Sequence, residues 1–156
     1  MIGSFHQEVA STFNNCMDLG SGGGMDLVNR ELELFAEIKN KFNTTKGNHK
    51  ATLYDDIKSF LKHPEYKGFT GYYVEVIPQK AERYNKPFTP SKDGKKKTKN
   101  ERIRVIDGWS FYDLLSGHEN TLEEVYAFVL ETLSTQYRNI DKGYKEFFIK
   151  AYQPKV

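Results

Sequence analysis

The sequence predicts an α/β fold, a small mixed β-sheet flanked by helices. Segments with helical spacing of apolar residues alternate with strand-like segments along the chain. Residues 68–78 (GFTGYYVEVIP) carry the β-branched and aromatic content of a central strand. Residues 25–30 and 33–40 read as two strands joined by a short connection, hence a hairpin.

Each element follows from its own residues. A helix is expected over 2–13, because Phe5, Val9 and Phe13 fall on one stripe. Gly20-Ser21-Gly22-Gly23-Gly24 lacks a following Gly-Lys-Ser/Thr and precedes a strand, so it is no phosphate loop. It is a flexible turn or an inserted linker. A helix over 51–63 places Leu53, Tyr54, Ile57, Phe60 and Leu61 on one side, and Pro64 stops it. Residues 79–102 read as a long basic loop, and loops of that length in compact domains are usually functional or disordered. A short strand over 103–106 and a short helix or turn over 109–115 come next. The clearest helix is 121–137, where Leu122, Val125, Tyr126, Val129, Leu130 and Leu133 keep helical spacing. That stripe is most simply core, and Thr121 with Glu124 has capping-box spacing. The aromatic tail 144–152 is left without a type.

The 156 residues suffice for a single domain over 1–156. No apolar run approaches the ~18 residues of a membrane span, and no signal-peptide pattern opens the chain. The single cysteine, Cys16, excludes an internal disulfide and a Cys-based zinc cluster. A cytoplasmic protein away from membranes is expected. Its charge is segregated. Residues 39–50 hold four lysines and no acid, and residues 79–104 hold ten bases against three acids. Residues 1–38 carry six acids and one base. Two basic segments in an otherwise acidic chain suggest a polyanion-binding face; the bland alternative is a solvated basic loop.

The hairpin carries the chemistry. Glu37 and Lys39 are two apart on a strand, so they share a face. If the hairpin turns at Glu31-Leu32, Asp26 lies opposite Glu37, Val28 opposite Phe35 and Arg30 opposite Glu33. Cross-strand partners stand ~4.5–5.5 Å apart at Cβ, and a slip of one residue would scatter the group. Two carboxylates so close repel unless a cation intervenes. Oxygen donors suit a hard ion such as Mg²⁺. With a lysine to orient a water, Asp26, Glu37 and Lys39 suit metal-assisted phosphodiester hydrolysis. The alternative is an ordinary surface strand whose Glu37 and Lys39 are solvated or paired.

An Asp followed by Glu-x-Lys on a paired strand is the pattern of the PD-(D/E)XK nuclease superfamily. Four blocks extend the likeness: residues 36–50 (AEIKNKFNTTKGNHK), 72–78 (YYVEVIP), 86–90 (KPFTP) and 106–112 (IDGWSFY). With them the chain resembles the type II restriction endonucleases that cut GGNCC sites, over nearly its whole length from Ile2. The resemblance implies a restriction-endonuclease-like core. It implies a Mg²⁺ ion held by Asp26, Glu37 and the Ile38 carbonyl, and a Lys39 that positions the attacking water. Cleavage of double-stranded DNA would leave a 5′-phosphate and a 3′-hydroxyl. Glu8 matches a position where superfamily members place a supporting acid; a surface or capping role is the alternative. Relatives carry a segment before the Ile-Gly-Ser-Phe-His-Gln motif that is expected to be missing here.

DNA contacts follow from residue chemistry. Lys41, Lys46 and Lys50 can neutralise phosphates. Asn43, Thr44, Thr45 and Asn48 can donate to phosphates or read base edges. His49 is a phosphate contact, a satisfied structural histidine or a helix N-terminal residue. A cutter of a G·C-rich site needs donors for guanine O6 and N7, and Arg83, Lys95, Lys96, Lys97, Arg102 and Arg104 are the candidates. Lys95-Lys96-Lys97 reads more as a disordered backbone clamp than as a base reader. A near-palindromic site favours a homodimer. The competing functions are a repair or junction nuclease with the same cluster, a non-catalytic or truncated DNA-binding relative, and a protein-interaction domain.

Overall fold

The computed structural model describes residues 2–20, 22 and 24–136. Three strands run parallel at its centre: β3 (Leu34–Lys41), β4 (Thr70–Ile77) and β8 (Ile103–Asp107). On one side β2 (Leu27–Asn29) and then β1 (Cys16–Asp18) add antiparallel; on the other, β5 (Asn85–Pro87) does. The sheet order is β1-β2-β3-β4-β8-β5. A parallel neighbour needs a crossover, and helix α2 (Gly47–Phe60) supplies it between β3 and β4.

The near-continuous apolar run of β4 is explained by burial on both faces. Val74 and Val76 join a core with Ala36, Ile38, Phe111, Tyr112, Leu122 and Tyr126. That core lies under α1 (Ile2–Ser11), α3 (Gly108–Ser116) and α4 (Thr121–Gln136). Tyr73 joins Phe35, Val105 and the α2 residues Leu53, Tyr54 and Ile57 on the opposite face. Glu37 and Lys39 alternate with Ala36 and Ile38 and therefore belong to the α2 face. The small mixed sheet flanked by helices is the architecture expected from the sequence.

Several boundaries move, each for a local reason. Helix α1 ends at Ser11, two residues early, and Thr12 and Phe13 turn back by N–H bonds to the Val9 and Ala10 carbonyls. Strand β1 was not expected, since three residues offer no alternation to read. Helix α2 starts at Gly47 rather than 51 and ends at Phe60, so His49 and Lys50 lie in its first turns. The 79–102 segment is not one loop. It contains β5 and a hairpin of β6 (Ser91–Lys92) and β7 (Lys95–Lys96). Asp93 and Gly94 turn it with φ of 50° and 77°, the left-handed pair that a two-residue hairpin requires. Helix α4 begins at Thr121, and the Asn120 carbonyl accepts from the Glu124 N–H. The capping box is absent: the Thr121 hydroxyl bonds Ser116 and the His118 carbonyl, while Glu124 pairs with His118. Tyr137 and the 144–152 tail lie outside the described residues. Among the described residues no helix is long and apolar enough to cross a membrane.

His6 is buried between the hydroxyls of Tyr112 and Tyr126, at 3.0 and 3.3 Å. Burial pushes its pKa down from 6.5 to about 4. A depressed folded pKa means that this histidine's contribution is fully present above pH 6.5 and lost as pH falls toward 4. At ~1.4 kcal/mol per pKa unit, a loss on the order of 3 kcal/mol is expected across that window. Urea midpoints measured from pH 7.5 to 4 check it, and His6→Gln should flatten the decline.

Candidate active site

The β2–β3 ladder pairs Leu27 with Ala36, Val28 with Phe35 and Asn29 with Leu34. Continued by one residue, this register sets Asp26 opposite Glu37, as the sequence suggested. The turn is longer than expected. Residues 30–33 all belong to it, Asn29 Oδ1 accepts from the Leu32 N–H at 2.9 Å, and Glu33 takes a φ of 49°. Arg30 and Glu33 therefore leave the ladder, and Arg30 pairs with Glu65 at 3.2 Å.

Where β2 pairing ends, the Asp26 carboxylate replaces it: Oδ2 accepts from the Ile38 N–H at 2.7 Å. The N–H and C=O of one strand residue point to the same edge, so the Ile38 carbonyl also leaves β3 on the Asp26 side. Lys39 Nζ donates to Glu37 Oε1 at 2.5 Å. Glu37 and Lys39 open into a cleft of about 390 Å³, completed by Thr44, Thr45, His49, Thr52, Leu53 and Asp56. Two carboxylates and a carbonyl form an all-oxygen donor set, which fits a hard divalent cation. Among the described residues no three His, Cys, Asp or Glu side chains form a metal cage by themselves. The remaining positions would fall to water and phosphate oxygens, as Mg²⁺ commonly retains.

Burial raises the pKa of Asp26 against the Ile38 N–H bond and the Lys39 charge, which lower it; the Asp18 charge adds a smaller rise. Burial also raises that of Glu37, partly offset by the Lys39 bond, with the Asp26 and Asp56 charges adding to the rise. A carboxyl whose folded pKa is raised contributes stability that is complete below its unfolded pKa and lost as pH rises through the folded one. Glu37→Gln is therefore expected to raise the thermal midpoint at pH 7.5, with the advantage fading below about pH 4.5, its ordinary value. A divalent cation held by this donor set at 100 times its Kd would stabilise the unaltered chain by about 2.7 kcal/mol and the variant much less. Differential scanning fluorimetry with and without Mg²⁺ reads both effects.

The basic residues divide into free and engaged ones. Lys41, Asn43, Thr44, Lys46, Asn48, Lys95, Lys96 and Arg102 are exposed, and Thr45 is half-buried. Lys50 is half-buried and pairs with Glu75 at 2.7 Å. Arg83 pairs with Asp113 at 2.5 Å, Lys97 with Asp55 at 2.6 Å, and Arg104 with Glu101 and Asn85. The lysine run 95–97 is ordered rather than disordered. Lys95 and Lys96 form β7, and Lys97 with the Thr98 carbonyl, bonded by Tyr54 Oη at 2.5 Å, ties the hairpin to α2. Glu8 is exposed on α1, whereas its neighbour Gln7 donates to Asp18 at 2.9 Å.

Sequence reasoning missed Asp18, Asp56 and Glu75. Asp18 sits in the unforeseen β1 and Asp56 in the crossover helix α2, so neither has a spacing signal. Glu75 had one: it is the only acid in an otherwise apolar and aromatic strand.

A mixed sheet with a parallel centre, flanked by helices, defines a restriction-endonuclease-like α/β protein. Residues 1–136 match the Eco47II restriction endonuclease family, and the chain belongs to that family. It is similar to the type II restriction enzyme Eco47II of Escherichia coli, with 39% identity over 130 residues, covering 81% of this chain and 54% of that protein. It is also similar to the type II restriction enzyme Sau96I of Staphylococcus aureus, with 26% identity over 129 residues, covering 80% of this chain and 49% of that protein. The chain thus spans about half the length of the curated relatives it matches. No solved structure matches it.

Proposed function

We propose that this chain is a Mg²⁺-dependent, sequence-specific endonuclease for double-stranded DNA, of the PD-(D/E)XK type. The observation that carries this is the β2–β3 register. It sets Asp26 opposite Glu37, with the Lys39 ammonium on the same face at the mouth of a cleft. Asp26, Glu37 and the Ile38 carbonyl would hold the cation, which when bound offsets charge on the phosphate and lowers the pKa of water. Lys39 turns from Glu37 to orient the attacking water. The water oxygen bonds to phosphorus in line, the P–O3′ bond breaks, and the 3′ oxygen leaves with a proton. A 5′-phosphate and a 3′-hydroxyl remain.

Exposed Lys41, Lys46, Lys95, Lys96 and Arg102 supply the phosphate-directed charge. Membership of the family, two of whose relatives are type II restriction enzymes, supports restriction over repair. The four sequence blocks favour a GGNCC-like site, whose near-symmetry suits a homodimer, acting in the cytoplasm. Incubation with supercoiled plasmid and Mg²⁺ tests the function. Discrete fragments with ligatable 5′-phosphate ends are expected, and EDTA should abolish them. Binding without cutting would instead make the chain a DNA-binding relative, and cutting at junctions irrespective of sequence would make it a structure-directed nuclease.

A further inference from the structure

We propose that Glu75 is a positioning residue that fixes the Lys50 ammonium on the catalytic face, as a second phosphate-directed cation beside Lys39. The proposal rests on the nuclease function above and extends it to residues outside the Asp26, Glu37 and Lys39 group.

Glu75 is only 8% exposed. Taking a carboxylate out of water costs several kcal/mol unless strong partners replace the water, and a buried ion pair seldom outperforms an apolar filling of the same space. Such a pair is better explained by what it holds in place. Both oxygens are committed: Oε1 to Lys50 Nζ at 2.7 Å, and Oε2 to the Tyr84 hydroxyl at 2.6 Å. These donors come from the two segments whose basic composition marks them in the sequence. Lys50 ends the 39–50 run, and Tyr84 lies within 79–104. Glu75 is where the two meet.

Its location gives this meeting a consequence. The β3–β4 register pairs Glu37 with Tyr73 and Lys39 with Glu75, and neighbouring strands lie about 4.8 Å apart. Glu75 is therefore one strand over from Lys39, on the same face. Lys50 Nζ reaches this row from α2 and rests 5.4 Å from the centre of the Tyr73 ring, a favourable place for a cation. Its side chain remains 27% exposed. An ammonium has three protons. One goes to Glu75, and the others can meet a phosphate oxygen of a bound strand.

The test uses the whole chain with Lys50→Met, Glu75→Gln and the double variant. Affinity for a short duplex is measured across salt concentrations without divalent cation, and single-turnover cleavage with Mg²⁺. Lys50→Met should reduce the log–log salt slope by about 0.9, the loss of one phosphate contact, and slow cleavage about tenfold or more, the scale of 1.4 kcal/mol. Glu75→Gln keeps the lysine charge, so the slope should stay while cleavage falls about tenfold. The double variant should cut no more slowly than Lys50→Met, because Glu75 acts through Lys50. A purely structural role would lower the thermal midpoint without moving the slope. If Lys50→Met leaves a buried unpaired carboxylate and fails to fold, the double variant, neutral at both positions, carries the slope measurement. An unchanged slope without Lys50, full cleavage by Glu75→Gln, or losses that multiply would each overturn the proposal. The slope needs binding alone. Undiminished cutting by Lys39→Ala would therefore sink the catalytic assignment while the slope still judges Lys50, and a chain that binds no duplex at any salt overturns both.

Discussion

Lys39→Ala is expected to slow single-turnover cleavage by about 10²–10³-fold, the usual loss when one preorganised donor is removed from a reacting phosphate or carbonyl. Glu37→Ala should reduce it further, because it removes half of the carboxylate donor set. The fold should survive both changes. The Lys39 side chain is 32% exposed and its ion pair among the described residues is with Glu37, so its loss belongs with the surface changes, which move stability by about 0.5 kcal/mol. Without the ammonium, Glu37 loses the bond that holds its raised pKa in check. Residual cleavage should therefore need a higher pH than that of the unaltered chain. Rates over pH 6 to 9, with melting curves on the same samples, decide the matter. Cutting at the ordinary rate by either variant would remove Lys39 and Glu37 from the chemistry.

The second large effect concerns the glycine that opens α3. Gly108→Ala should destabilise the chain by about 3 kcal/mol and lower the thermal midpoint by about 10 °C. A Cβ at Gly108 would stand 2.5 Å from the Val76 carbonyl oxygen and 2.8 Å from the Val76 Cα. Both atoms are backbone in a central strand, so neither can rotate away. Gly71→Ala makes a contact as short, 2.4 Å, but against the Ile57 side chain and the Phe35 ring, which can shift. It should lose less. Gly108 also follows Asp107, whose two oxygens hold the Ser110 and Tyr84 amides at 3.0 and 2.7 Å. A shift there moves Tyr84, one of the two donors to Glu75. Thermal melts of the two variants side by side test the ranking.

The elements most legible in the sequence were those whose pattern is local. The α2 and α4 stripes, the apolar β4 and the β2–β3 register could be read because helical and strand periods are properties of neighbouring residues. The register also located Asp26 against Glu37, since a hairpin converts sequence distance directly into cross-strand distance. Helix ends were less legible. Lys46 precedes α2 without a side-chain cap, and Asn120 rather than Thr121 leads into α4. The 79–102 segment looked unstructured because its strands are two or three residues long and owe their order to β8 and α2.

The sequence by itself determined the fold class, through the alternation of helical and strand-like segments, and the register that faces Asp26 toward Glu37, through spacing along one hairpin. Only the tertiary structure decided which cations are free and which are committed. Glu75 lies 25 residues from Lys50, Asp55 lies 42 from Lys97 and Asp113 lies 30 from Arg83. No local period encodes such pairs. They form because the β3–α2–β4 crossover and the packing of α3 bring opposite charges together.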